Sequence, residues 1–215
     1  SDMDYAKDIR SIKRKAPRGS PFQWQDTAVE KIVNWKKNQT RGYFDLQYGL
    51  FVINIASTGC GKTFANAKIM QSISQDGTSL RYCLALGLRT LTLQTGDEYR
   101  FRIGLDDSEL AVLIGSEAVK DLHEYAKAED NSESSESLFD GVIDYESAIP
   151  ESKLAILLKD EKARQLLYSP VLACTIDYLM NATESIKGGK WMLPFLRLMS
   201  SDLVLDEIDD FTGAD

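Results

Sequence analysis

A glycine-rich octapeptide at residues 56–63, Ala-Ser-Thr-Gly-Cys-Gly-Lys-Thr, has the composition of a phosphate-binding loop. It follows the apolar run 50–55, which we expect to be a strand, and it precedes a predicted helix, the context that such a loop requires. Gly59 and Gly61 allow successive backbone N–H groups to point inward, and the N-terminus of the helix adds partial positive charge. The loop is therefore a predicted site for an anionic polyphosphate.

Two side chains of this loop indicate ATP and Mg²⁺ as the ligands. Lys62 would contact the β- and γ-phosphates as a point charge, and the Thr63 hydroxyl would hold the metal ion that bridges them. Ala56 stands where the strict pattern has glycine, which we interpret as a tolerated variant. The other residues expected to contact the nucleotide are Ser57, Thr58, Gly59, Cys60 and Gly61.

An acidic pair, Asp206 and Glu207, follows the predicted strand 202–205. Because the ends of parallel strands meet at one edge of a sheet, we expect this pair to face the phosphate-binding loop. Asp206 would bind Mg²⁺, mostly through water, and Glu207 would polarise the water that attacks the γ-phosphate. A carboxylate beside the metal ligand favours ATP hydrolysis over simple nucleotide binding.

A weaker signal lies upstream of the loop, in an aromatic and glutamine-rich segment at residues 21–26 that begins a predicted helix. The Gln25 amide can accept a hydrogen bond from the exocyclic amine of adenine and donate one to the neighbouring ring nitrogen. Gln25 is therefore the candidate adenine contact. The chain contains no Asn-Lys-x-Asp motif, which a GTPase would use to bind guanine.

Apolar runs alternate with helical patterns along the chain, which is typical of an α/β fold with a parallel sheet flanked by helices. Besides 50–55, the predicted strands are 80–86, 110–114, 171–175 and 202–205. Residues 1–20 carry six lysines and arginines and are predicted to be a basic linker from a preceding domain. Residues 21–215 are then the ATPase domain, with a Ser/Glu-rich acidic insertion at 127–153.

Composition excludes several classes of protein. The 215 residues contain no apolar run of membrane-spanning length and no signal peptide, so a cytoplasmic location without membrane contact is expected. Three cysteines without C-x-x-C spacing suit a reducing compartment, and one histidine, His123, is too few for a His-Asp metal nuclease. The net charge of −8 is unusual for a nucleic-acid binder but permits one basic face.

The motifs together resemble those of superfamily-two DExD/H helicases. Residues 206–209, Asp-Glu-Ile-Asp, resemble the D-E-x-D signature. Residues 86–94 and 173–177 are similar to two motifs of the family that contact the nucleic-acid strand, and all of these motifs occur in the family's order. The resemblance implies a RecA-like P-loop NTPase domain. It also makes Arg89, Thr90 and Thr175 candidates for contacts with backbone phosphates, which short polar side chains and helix N-termini can provide.

The amino-acid sequences of residues 56–63, 85–96 and 206–211 most resemble those of the helicase-nuclease of type I-F CRISPR interference. The resemblance implies the first of two RecA-like domains in an ATP-driven translocase on single-stranded DNA. The same polypeptide would carry a metal-dependent nuclease, the CRISPR target-recognition complex would recruit it, and phage anti-CRISPR inhibitors would bind it. Because the chain ends just after the D-E-x-D strand, we expect a truncated domain with weak or absent ATPase activity by itself.

Other functions stay open at this point. A nucleotide-gated P-loop docking module would fit the acidic composition, and another superfamily-two helicase of DNA or RNA metabolism would share the same motifs. A small-molecule P-loop kinase would have no use for Glu207 beside Asp206. ATP turnover that depends on DNA separates the motor from these alternatives.

Overall fold

The computed structural model describes residues 5–39, 49–56, 59–113, 161–184 and 191–207. The strands are β1 (Ala6–Lys7), β2 (Ser79–Leu80), β3 (Tyr82–Leu86), β4 (Leu110–Leu113), β5 (Val171–Thr175) and β6 (Asp202–Leu205). The helices are α1 (Arg10–Lys13), α2 (Gln23–Gln39), α3 (Lys62–Ile73), α4 (Arg89–Glu98) with its π-helical continuation (Tyr99–Ile103), α5 (Glu161–Tyr168), α6 (Ile176–Glu184) and α7 (Met192–Met199).

A parallel sheet is the centre of the fold, with the strand order β4-β5-β3-β6. Every residue of β3 and β5 is buried, as expected for strands whose two faces are both covered. The predicted α/β class, a parallel sheet flanked by helices, is confirmed. Outside this sheet, the short strands β1 and β2 pair antiparallel.

Alternate residues of β3 pack into two hydrophobic cores, one on each face of the sheet. Tyr82, Leu84 and Leu86 belong to the core that α3, the π-helical segment and the N-terminal residues complete. Cys83 and Ala85 belong to the other core, which side chains of α5 and α6 complete. The sheet is thereby fixed between two layers.

The apolar run 50–55, predicted as a strand, forms no regular secondary structure. Phe51, Ile53 and Ile55 are 86%, 71% and 94% exposed. A strand requires a partner that supplies ladder hydrogen bonds. In the described part of the chain, residues 50–55 pair with no strand, and β6, at the edge of the sheet, pairs only with β3. The prediction of a strand at 50–55 is therefore wrong.

The N-terminal residues differ from the predicted solvated linker. Ala6, Ile9 and Ile12 are buried in the core that contains Tyr82, and β1 pairs with β2. The many basic residues of this segment favoured the linker interpretation, whereas the apolar residues between them determine its packing. A linker from a preceding domain, and the boundary at residue 20, stay predictions, but residues 5–12 pack as part of this domain.

Two further expectations concern residues that the structure does not describe: the acidic insertion at 127–153 and His123. In the described part of the chain, no helix combines the length and the apolar character needed to cross a membrane.

Candidate nucleotide-binding site

The carboxyl ends of three neighbouring strands meet at one edge of the sheet. The register places Ala85 of β3 beside Leu205 of β6, and Leu86 beside Thr175 of β5. The backbone N–H of Asp206 extends the ladder by donating to the Ala85 carbonyl at 3.0 Å. Parallel pairing therefore fixes where the acidic pair leaves β6.

The phosphate-binding lysine and the acidic pair meet at this edge. Lys62 is the first residue of α3, and its Nζ lies 3.1 Å from Oε1 of Glu207. The two side chains are 21% and 30% exposed, so the ion pair is partly shielded but open to solvent. Glu207 has a φ of +52°, an unusual backbone conformation for a residue other than glycine.

Both carboxylate oxygens of Asp206 accept hydrogen bonds within the chain. Asn66 Nδ2 donates to Oδ2 at 3.0 Å, and the backbone N–H of Glu207 donates to Oδ1 at 3.0 Å. Burial raises the pKa of Asp206, with a smaller contribution from the Glu207 charge. The Glu207 N–H bond, the Lys62 charge and the Asn66 bond only partly offset that rise. This carboxylate is held at a partly desolvated position.

Asn66 was missed in the sequence analysis. It lies one helical turn after Lys62, so both residues face the same side of α3. Residues 65–72 of α3 are all buried, and a short amide in such a stretch requires hydrogen-bonding partners. The spacing of four residues from Lys62 was the signal that could have identified it.

The start of α2 holds the phosphate-binding loop in place. Trp24 Nε1 donates to the Cys60 carbonyl at 3.2 Å, and Gln25 Nε2 donates to the Gly61 carbonyl at 3.1 Å. Gly61, with a φ of +75°, is the N-cap of α3, and a Cβ there would lie 2.8 Å from Gln25 Nε2. Gln25 is 4% exposed, and its side chain is hydrogen-bonded to the loop backbone. Its contact with adenine stays a prediction.

The remaining predicted nucleotide residues are only partly described. Gly59 has a φ of +80°, as a curled loop requires, and Thr63 is half-buried in the first turn of α3. Ser57 and Thr58 lie outside the described residues. Their roles stay predictions.

The predicted nucleic-acid contacts lie at one sheet edge, where two helices begin. Arg89 and Thr90 form the start of α4, and their side chains lie outside the described part of the structure. Thr175 ends β5, where it is 2% exposed, and its hydroxyl has no partner among the described residues. A contact between Thr175 and a phosphate stays a prediction that requires this side chain to become exposed.

No protein-family model matches the chain. It is 47% identical over 202 residues to the CRISPR-associated nuclease/helicase Cas3 subtype I-F/YPEST of Pectobacterium atrosepticum. It is 41% identical over 196 residues to the protein of the same name from Pseudomonas aeruginosa. Each alignment covers 88% of this chain. The chain is homologous to one segment of subtype I-F Cas3.

The resemblance to the type I-F helicase-nuclease, predicted from the P-loop and D-E-x-D motifs, is confirmed by these relatives. The chain spans 18% of the length of each Cas3 relative. The names of the relatives indicate helicase and nuclease activities for the whole Cas3 proteins. They do not assign either activity to this segment.

Proposed function

We propose that the chain is the ATP-binding motor domain, the first RecA-like domain, of a type I-F CRISPR helicase-nuclease. It uses ATP hydrolysis to move along single-stranded DNA, so that a separate nuclease domain degrades the invading DNA. The contact between Lys62 of the phosphate-binding loop and Glu207 of the acidic pair carries the proposal. A cation for the phosphates and a carboxylate for the attacking water are the groups that ATP hydrolysis requires in one place.

Lys62 and the loop backbone bind the polyphosphate in this proposal. The positive φ values of Gly59 and Gly61 support a curled backbone, and Gly61 caps a helix of 12 residues whose N-terminus favours anions. Without nucleotide, Lys62 has Glu207 as a partner. The γ-phosphate competes with this carboxylate for the lysine when ATP binds.

The donor atoms present at the site fit Mg²⁺, which prefers hard oxygen ligands. The Asp206 carboxylate and the Thr63 hydroxyl would hold the ion together with the phosphates. Mg²⁺, when bound, neutralises charge that develops on the phosphate oxygens. Asn66 and the Glu207 backbone support this step by holding both oxygens of Asp206.

Glu207 acts as the group that orients and polarises the attacking water. Its side chain is 30% exposed, which leaves room for water to reach the carboxylate. Its position beside Asp206 places the water-activating group next to the metal ligand, so transfer to water is favoured over transfer to a second substrate. This argument supports a hydrolase in preference to a small-molecule kinase.

Single-stranded DNA binds, in this proposal, where α4 and α6 begin. Both helices start at the sheet edge that carries Asp206, because β3 and β5 end in register there. Arg89, Thr90 and Thr175 would contact the phosphate backbone. A shared edge allows ATP-driven movement of the loop to reach the DNA contacts directly.

The further partners proposed are the CRISPR target-recognition complex, the remaining helicase and nuclease domains of the same polypeptide, and phage anti-CRISPR inhibitors, all in the cytoplasm. The names of the Cas3 relatives support the CRISPR and nuclease parts of this proposal.

ATP hydrolysis tests the proposal most directly. Phosphate release by the protein in which this chain occurs naturally should rise strongly when single-stranded DNA is added. Lys62→Ala should abolish the release, whereas Lys13→Ala, which removes an exposed lysine paired with Asp8, should not. Turnover that is indifferent to DNA would exclude the motor. Absence of turnover, combined with nucleotide-dependent binding to the CRISPR complex, would favour the docking module.

A further inference from the structure

Asn66, in α3, forms hydrogen bonds with residues of two other segments, Asp206 and Asn54. Its Nδ2 donates to Oδ2 of Asp206 at 3.0 Å, and its Oδ1 accepts a longer hydrogen bond from Asn54 Nδ2 at 3.5 Å. A carboxylate can only accept hydrogen bonds, so the amide nitrogen must face Asp206. The orientation of the amide is therefore fixed by chemistry, and the residue is only 8% exposed.

Together with the Glu207 N–H, Asn66 fixes the plane of the Asp206 carboxylate. One donor on each oxygen prevents the group from rotating about its Cβ–Cγ bond. A carboxylate has about four lone-pair sites, so each oxygen keeps one site that no donor from the described residues occupies. These sites are available to a metal ion or to its bound water.

The same hydrogen bond joins the sheet edge to the phosphate-binding helix. Asn66 lies one turn after Lys62 on a helix, and Asp206 follows β6, which pairs with β3. This hydrogen bond therefore couples the helix that begins with Lys62 to the Asp206 carboxylate.

We propose that Asn66 is a positioning residue for ATP hydrolysis, which holds the Asp206 carboxylate in the orientation that binds Mg²⁺. The inference rests on the proposed ATPase function and adds a residue that the P-loop and D-E-x-D motifs do not include. Outer-shell hydrogen-bond partners of this kind change metal affinity by about 10–100-fold.

Asn66→Ala provides the main test, with metal affinity as the readout. We expect the Kd for Mn²⁺, measured by electron paramagnetic resonance with a non-hydrolysable ATP analogue, to rise about tenfold or more. The Mg²⁺ concentration that gives half-maximal ATP hydrolysis should rise in parallel, while kcat at saturating Mg²⁺ falls much less. Asn66→Ser, which keeps a donor without added volume, should give an intermediate shift.

Gln71→Ala is the matched control. Gln71 is a buried amide on the same helix, and its Nε2 donates to the Thr78 carbonyl at 3.0 Å, away from the site. This variant should lose a comparable amount of thermal stability and keep the wild-type Kd for Mn²⁺. If both variants weaken Mn²⁺ binding equally, the role of Asn66 is structural and the inference is wrong.

Failure of this inference is distinguishable from failure of the proposed function. All variants are made in the protein in which this chain occurs naturally; if that wild-type protein neither binds Mn²⁺ with the analogue nor hydrolyses ATP, the proposed function fails and the inference with it. If the wild type does both, and Asn66→Ala and Asn66→Ser keep its Kd for Mn²⁺, only the inference is overturned. Should Asn66→Ala fail to fold, Asn66→Ser decides the question by the same measurement.

Discussion

Lys62 and Glu207, 145 positions apart in the chain, form an ion pair with Nζ 3.1 Å from Oε1. Both side chains are partly exposed, so the pair itself adds at most about 1 kcal/mol to the free energy of unfolding. Its importance is that it places the two groups proposed for phosphate binding and water activation within one contact. In the proposed function, binding of ATP replaces this contact with one between the lysine and a phosphate.

Glu207→Gln should therefore separate nucleotide binding from hydrolysis. The neutral amide no longer attracts Lys62, so ATP should bind as tightly as in the wild type or a few-fold more tightly. Hydrolysis should fall about 10²–10⁴-fold, the usual contribution of a general base. Equilibrium titration with a fluorescent ATP analogue and single-turnover phosphate release measure the two effects.

Lys62→Ala is the contrasting variant for that experiment, because it removes the phosphate-binding cation and should weaken ATP binding itself. Glu207→Gln that retains wild-type hydrolysis would exclude Glu207 as the water-activating group. Weakened ATP binding in both variants would indicate instead that the ion pair supports the loop structure.

The sequence could predict that the acidic pair faces the phosphate-binding loop, because a parallel sheet brings the carboxyl ends of its strands to one edge. A glycine-rich loop between an apolar segment and a helix allows few backbone paths, and a strand end determines where the next two residues emerge. Asn66 was not identified because neither motif includes it, and its contact with Asp206 is visible only once the parallel pairing of β6 with β3 is known. Motifs identify residues, whereas contacts between distant segments require the assembled fold.

The failed prediction of a strand at 50–55 has a physical cause of the same kind. Apolar residues indicate that a segment is suited to burial, but a strand exists only where a neighbour supplies hydrogen bonds. In the described structure that neighbour is missing, and Ile55 is 94% exposed. Burial of Ile9 and Ile12 was overlooked for the converse reason, since their partners in the core come from distant elements.

The exposed run 50–55 should make this chain associate with itself. Leu203 and Leu205 of β6 are 47% and 41% exposed as well, and unpaired apolar strand edges promote pairing between molecules. Sedimentation velocity of the chain should show a concentration-dependent increase in mass, and Ile53→Lys should reduce it. Met199→Lys, at another exposed apolar residue, is the matched control. A monomer at all concentrations would contradict the prediction.

Gly61→Ala should destabilise the protein more than Gly59→Ala. Both glycines have positive φ, which costs an alanine about 1–2 kcal/mol, but only at Gly61 would the Cβ meet Gln25 Nε2, at 2.8 Å. Among the described residues, no heavy atom beyond the chain neighbours lies within 4 Å of a Cβ at Gly59. Thermal unfolding without nucleotide measures the difference, and Gln25→Ala should relieve part of it in the double variant. Equal effects would show that the contact with Gln25 is unimportant.

Arg197→Met should cost about 1–3 kcal/mol in the free energy of unfolding, the cost of removing the donor of a buried acceptor. Arg197 is completely buried, and its guanidinium donates to carbonyl oxygens at the end of α5 and the start of β3. The carbonyl oxygens concerned are those of Tyr82, Leu167, Ser169 and Pro170. Methionine fills similar volume but donates no hydrogen bond, so the Ser169 carbonyl loses its bond from Arg197, while the Leu167 and Pro170 carbonyls keep bonds from Arg81 and from the Tyr82 N–H. Urea denaturation measures the loss, and the exposed Arg164→Met is the control, with an expected change within about 0.5 kcal/mol. A small effect at Arg197 would mean that water replaces the guanidinium.

Asp76 should make stability depend on pH in the acid range. Hydrogen bonds from the backbone N–H groups of Thr78 and Ser79, and from two serine hydroxyls, hold the pKa of this carboxyl well below its usual range. Because the folded-state pKa is lower than the unfolded value of about 3.9, the stabilisation is complete above that pH and is lost as the pH falls towards the folded-state pKa.

Asp76→Asn keeps the acceptor oxygen but loses the charge, which weakens these bonds. It should lower the free energy of unfolding at pH 7, and the difference from the wild type should shrink below about pH 4. Asp97→Asn, at an exposed carboxylate of α4, is the control for the loss of charge, and a difference that stays constant from pH 7 to pH 3 would contradict the assignment.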